Sequence, residues 1–108
     1  MSPEVVLFYS PNAFGTVDAI AYRYRLLRIS DLKTGVTRVS EHQLEVYAAL
    51  FCLEYEIDPF SMRGIELRIY KDGGVTVYDA DPYYIRGIMD KIQLFDGILN
   101  KLREEASS

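Results

Sequence analysis

The stretch Leu27-Arg28-Ile29-Ser30-Asp31-Leu32-Lys33-Thr34-Gly35 decides how the chain is read, because it looks like a β-strand running into a turn at Lys33-Thr34-Gly35. The strand is expected over Leu26 to Asp31. Side chains two apart on a strand share a face, so Asp31 and Lys33 project together with Ile29. Just upstream, Thr16 to Tyr22 reads as another strand, separated by Arg23-Tyr24 and close enough to form a hairpin. With Tyr22 opposite Arg25, Asp18 falls opposite Ile29 and diagonally beside Asp31, which brings the carboxylates within roughly 5 to 8 Å. A slip of one residue turns Asp18 to the other face.

Working outward, Glu4 to Tyr9 is a short β-rich run ended by the turn formers Ser10-Pro11-Asn12. From Ser40 the pattern changes: Leu44, Tyr47, Ala48, Phe51 and Tyr55 recur at helical spacing and mark one apolar face over about four turns. Ser40 and Gln43 form a candidate capping box, and Asp58-Pro59 lies past the far end. Ile65, Leu67 and Ile69 alternate with polar residues, Asp72-Gly73-Gly74 supplies a tight turn, and Val75 to Tyr78 returns as a second antiparallel strand. Asp81 caps a last helix with Pro82 at its first position and an apolar stripe of Ile85, Ile88, Met89, Ile92, Phe95, Leu99 and Leu102. The order β-β-β-α-β-β-α, without repeat or linker, predicts one α/β (α+β) domain over residues 1–108, with a central sheet covered by helices.

The 108 residues, 49% hydrophobic and 26% charged, have the balance of a globular domain. No run of roughly 18 apolar residues exists to cross a bilayer, and MSPEVVLFYS lacks the features of a signal peptide, so a cytoplasmic protein without membrane contact is expected. The single Cys52 excludes both an internal disulfide and zinc held by cysteines, and its apolar neighbours mark it as a small buried hydrophobe. A net charge of −4 speaks against coating nucleic acid. The distribution is uneven, however. Residues 23–38 hold Arg23, Arg25, Arg28, Lys33 and Arg38 against Asp31 alone, a candidate positive lip for DNA as well as a set of scattered surface arginines.

Two carboxylates on one face repel unless a cation joins them, and Mg2+ and Mn2+ accept sites of few carboxylates completed by water and phosphate. A lysine beside such a metal can stabilise charge building on phosphorus. The competing reading makes Asp18 a surface aspartate near a turn and Asp31 with Lys33 an exposed strand-end pair. Other chemistries find no support: His42 has no serine in a G-x-S-x-G elbow, and no G-x-x-x-x-G-K loop is present. Most of the nine tyrosines fit core positions, with Tyr83-Tyr84 the expected exposed pair.

The succession Phe14-Gly15-Thr16-Val17-Asp18, then Asp31-Leu32-Lys33-Thr34-Gly35, then Gln43-Leu44-Glu45-Val46-Tyr47 resembles the G-x-x-D, D-x-K-T-G and Q-x-x-x-Y motifs of RecB-like PD-(D/E)XK nucleases, in particular small phage-encoded members. The resemblance covers residues 14–47 and implies a restriction-endonuclease-like core. It implies a deoxyribonuclease, exonuclease or endonuclease, dependent on Mg2+ or Mn2+. Asp18 and Asp31 become metal ligands, with the backbone carbonyl of Leu32 a further one, and Lys33 becomes the catalytic lysine. Gln43 and Tyr47 would point at the active site or the DNA backbone, while capping and core packing remain the competing roles for them. Thr34-Gly35 would let the chain turn sharply out of the strand.

Members of the family usually begin with a helix carrying an acidic residue, and many add an upstream histidine. Here thirteen residues precede Phe14, that first helix is not visible, and the sole histidine, His42, follows the motifs. The resemblance therefore also admits a catalytically weak or inactive DNA-binding or assembly module. Expected partners are DNA, further copies of the chain in a homo-oligomer, and proteins of phage recombination or replication. A purely structural protein dimerising through Ile85 to Leu102 is a third reading.

Overall fold

A residue's place in this fold follows from which side of each strand is apolar. The computed structural model describes residues 5–33, 41–71 and 73–107, and for Lys33 the backbone alone. Strands β1 (Val5–Ser10) and β2 (Ala13–Val17) form an antiparallel hairpin. Strands β3 (Ala19–Arg23), β4 (Leu26–Lys33), β5 (Gly64–Lys71) and β6 (Gly74–Asp79) form a sheet in that order. Helix α1 (Glu41–Glu54) connects β4 to β5, a short 3-10 turn covers Pro59–Ser61, and helix α2 (Pro82–Ser107) ends the fold. The proposed Ser40 capping box, the Thr34-Gly35 turn and Asp72 lie outside the described residues.

The run Thr16–Tyr22, expected as one strand, is two. The apolar side chains switch parity across Asp18: Val17 is buried beneath the β1–β2 hairpin, whereas Ile20 and Tyr22 face the core from β3. A single strand cannot present odd and even positions to one core. The chain bends at Asp18 and changes sheet, which makes the order β-β-β-β-α-β-β-α.

The β3–β4 register also differs from the expected one. Tyr24 and Arg25 are themselves the two turn residues, at φ 53° and 64°, and Arg23 pairs with Leu26. Such paired positive φ values make the tight hairpin turn that matches strand twist, here without glycine or asparagine. Ala19 consequently pairs with Ser30, so Asp18 comes level with Asp31 instead of Ile29. The shift is by two positions, which preserves the face.

β4 and β5 are parallel, with Asp31 beside Ile69 and Lys33 beside Lys71. A parallel pair needs a crossover, and α1 supplies it. The helix is apolar nearly all round, burying Leu44, Ala48, Ala49, Leu50, Phe51, Cys52 and Leu53, more than the single face expected. It is enclosed by β1, β2, β4, β5 and α2. Tyr55, expected on that face, lies past the helix end and is exposed. Glu56 at φ 55° stops the helix in a left-handed residue, while the Ile57 amide reaches back to the Cys52 carbonyl at 2.9 Å. Burial, and secondarily the charge of Asp58, pushes the Cys52 thiol up to about 12.

Helix α1 packs on the face of the sheet carrying Leu27, Ile29, Ile65, Leu67 and Ile69, and α2 packs on α1 and adds Ile85, Ile88 and Met89 to the same core. On the other face Leu32, Val75 and Val77 are exposed. There Arg28 and Arg68 share Glu66, at 3.2 Å and 2.7 Å. The Arg68 hydrogen bond, joined by Arg28, holds the Glu66 carboxyl below its ordinary range. A depressed carboxyl stabilises fully above its unfolded pKa of about 4.3, and that stability is lost as pH falls through the lower folded value. Denaturation midpoints measured between about pH 6 and pH 3 are therefore expected to fall less steeply for Glu66→Gln than for the wild type. Equal slopes would show that the pair does not couple to folding.

α2 starts as expected: the Asp81 carboxylate accepts from the Tyr83 amide at 2.9 Å, with Pro82 at the first position. Its stripe is buried only at Ile85, Ile88 and Met89. Among the described residues no helix is long and apolar enough to cross a membrane.

Candidate metal and nucleic-acid site

α1 runs back along the sheet, so its first turn and the C-terminal ends of β4 and β5 lie at the same end of the molecule, the end of a parallel pair where ligands commonly bind. Asp18, Asp31, Leu32, Lys33, Gln43 and Tyr47 all belong to that end.

Asp18 sits at the bend between β2 and β3, and its Oδ2 accepts the backbone N–H of Leu32 at 2.7 Å. The paired ladder stops at Ala19–Ser30, because β2 has left for the hairpin. The carboxylate thus takes the next rung in place of a carbonyl, and the bend that moves β2 away is what frees the position. The bond anchors Asp18 to the residue between Asp31 and Lys33.

Asp31 continues the row of Leu27 and Ile29 and is 7% exposed, the one charged residue buried among the described residues. The reading of Asp31 and Lys33 as an exposed strand-end pair therefore does not hold for Asp31. A carboxylate set in an apolar row is costly unless neighbouring groups or a cation compensate its charge, and such positions concentrate at functional sites. The backbone of Lys33 ends β4, and its side chain lies outside the described residues. The Leu32 side chain is exposed on the opposite face.

Gln43 and Tyr47, one turn apart on α1, are joined directly: Gln43 Nε2 donates to the Tyr47 hydroxyl at 2.8 Å. The Tyr47 ring lies against Gly15, where a Cβ would stand 2.7 Å from Tyr47 Cε1. Only glycine fits beneath that ring. Gly15 from β2 and Tyr47 from α1 are thereby locked together, three residues before Asp18.

The donor set is limited. Among the described residues no group of three or more His, Cys, Asp or Glu side chains is placed to hold a metal. Asp18 and Asp31 supply two carboxylates, a number that suits Mg2+ or Mn2+ completed by water and phosphate and does not suit a closed, all-protein cage. Among the described residues the expected positive lip is dispersed, Arg38 and the Lys33 side chain lying outside them. Arg23 precedes the β3–β4 turn and Arg25 lies in it, roughly 20 Å along β4 from Asp31 at ~3.3 Å per residue, and Arg28 is engaged by Glu66. Lys71, exposed and paired in register with Lys33, joins this end instead. Sequence reasoning missed Lys71 because its neighbour in the sheet is set by a parallel pairing across α1, for which no local signal exists.

His42 stays on the solvent side of α1, 3.9 Å from Glu45 and edge-on to Tyr84. It occupies the ridge next to Gln43 and Tyr47, facing α2. Desolvation, with Glu41 second, raises the Glu45 carboxyl above its ordinary range. Tyr83 and Tyr84 are exposed as expected, Tyr83 resting edge-on against Phe60. Comparison of the chain with protein-family models, curated proteins and solved structures gives no match.

Proposed function

We propose that this chain is the core of a divalent-metal-dependent deoxyribonuclease of the RecB-like PD-(D/E)XK type, serving DNA recombination, replication or processing. The observation that carries the reading is the anchoring of the Asp18 carboxylate on the Leu32 amide, level with the buried Asp31. In this reading Mg2+ or Mn2+, when bound, supplies Lewis acidity toward a phosphodiester and the water that attacks it. Asp18 and Asp31 hold the ion through carboxylate oxygens, with the Leu32 carbonyl as a further oxygen. Lys33 sets positive charge beside the scissile phosphate. Gln43 and Tyr47, fixed to each other and to Gly15, hold the DNA strand against the carboxylates.

The set of only two carboxylates favours a second reading, a nuclease-fold module that binds DNA or assembles with partners without cutting. Labelled linear, nicked and single-stranded DNA incubated with Mg2+ or Mn2+ separates the two. The nuclease reading expects cleavage that EDTA stops and that Lys33→Ala abolishes. Retention of DNA on a gel without cleavage would establish the second reading. Cleavage surviving Lys33→Ala would move the chemistry to another site.

A further inference from the structure

Beyond its first turns, α2 carries apolar residues that stay largely open to solvent: Leu94, Phe95, Ile98, Leu99 and Leu102 are 61, 59, 45, 39 and 54% exposed, with the β1–β2 turn, bonded through Asn12 to Asp96 and Asn100, bordering Phe95 and Leu99 on one side only. On the other side of Phe95, α1 and α2 enclose an open, mainly apolar groove of about 390 Å³, lined by Val46, Tyr84, Gly87, Ile88, Lys91 and Phe95. One helix therefore bears a groove before Phe95 and a ridge after it. The two halves are similar in length. Gly87 stands eight residues before Phe95 and Leu102 seven after it, and a Cβ at Gly87 would meet nothing within 4 Å.

We propose that this face is an interface between two copies of the chain, with the α2 helices antiparallel and a two-fold axis near Phe95. A closed dimer needs a patch that complements itself, each contact occurring twice, and a groove and a ridge equidistant from one residue meet that condition. The Leu102 ridge of each copy then enters the gap that Gly87 leaves in the other. Charge supports the antiparallel direction. Asp90 lies five residues before Phe95 and Lys101 six after, both on the flank of the contact face and both exposed. Antiparallel pairing keeps like flanks together and sets Asp90, which Arg86 approaches at 3.4 Å in its own chain, beside Lys101 of the second copy; parallel pairing sets opposite flanks together and forms no such pair. The proposal does not depend on the nuclease reading.

Sedimentation equilibrium of the full chain tests it. The wild type is expected to dimerise. Leu102→Arg and Gly87→Trp are each expected to weaken the dimer by at least about 100-fold, since every substitution acts twice. Val77→Arg, on the exposed face of the sheet, should leave it intact. Both test positions are open to solvent, and circular dichroism verifies that the variants fold. Direction is read from oxidative cross-linking, for which the buried Cys52 is an inert background. Asp90→Cys mixed with Lys101→Cys should cross-link, and Lys101→Cys alone should not. A monomer at all concentrations, a dimer indifferent to both α2 substitutions, or cross-linking of Lys101→Cys to itself in place of the mixed pair would each overturn the proposal.

Discussion

Asp31→Asn is expected to lower metal-dependent DNA cleavage by at least about 10³-fold, corresponding to roughly 4 kcal/mol of lost transition-state stabilisation. Asparagine keeps the volume and one acceptor oxygen but removes the charge that a hard cation requires. The same substitution also takes a buried charge away from the groups around it, so the stability of the apo variant is measured beside its cleavage. Metal linkage separates the two effects. Mn2+ at about 100 times its Kd should stabilise the wild type by ~2.7 kcal/mol, visible as a raised Tm, and should leave Asp31→Asn unmoved. A variant that still gains stability from Mn2+ would place the ion elsewhere. A variant that unfolds would make Asp31 a structural group whose partners need its charge.

Gly15→Val is expected to destabilise the fold by about 1–3 kcal/mol, because its side chain must displace the Tyr47 ring or the β1–β2 hairpin. For a domain of this size that corresponds to a Tm lowered by about 4 to 8 °C per kcal/mol. The contact is pairwise, so Tyr47→Ala should be less harmful beside Gly15→Val than alone, with a coupling energy of about 0.5–3 kcal/mol in a double-mutant cycle. Tyr47→Phe keeps the ring and loses only the hydroxyl that Gln43 engages, so it should leave the clash in place. Additive effects in the cycle would mean that the ring and the glycine are independent.

Much of the architecture was legible because local chemistry and tertiary structure agree. Asp81 and Pro82 start α2 where capping rules place it, and alternation marks β5 and β6. The errors fall where a non-local constraint decides. Thr16–Tyr22 has uniform β character, and only the parity change from Val17 to Ile20 betrays the bend at Asp18. The β3–β4 turn uses Tyr24 and Arg25 at positive φ, which their side chains do not advertise, so the register was set two positions away. The shift is by an even number of positions, so it leaves the face that each residue of β3 presents unchanged. The one-face periodicity of α1 understated its burial, since Ala49, Leu50, Cys52 and Leu53 touch structure that the helix alone cannot foresee.

The parallel pairing of β4 with β5 also sets an order of events during synthesis. Asp18 and Asp31 leave the ribosome early, but the strand that seats Asp31 in its apolar row emerges only after the whole of α1. Long-range parallel contacts form late and slowly. A nascent chain that ends short of Lys71 thus holds the β3–β4 hairpin, with Asp18 and Asp31 at its open end, but lacks the strand that completes the apolar row around Asp31.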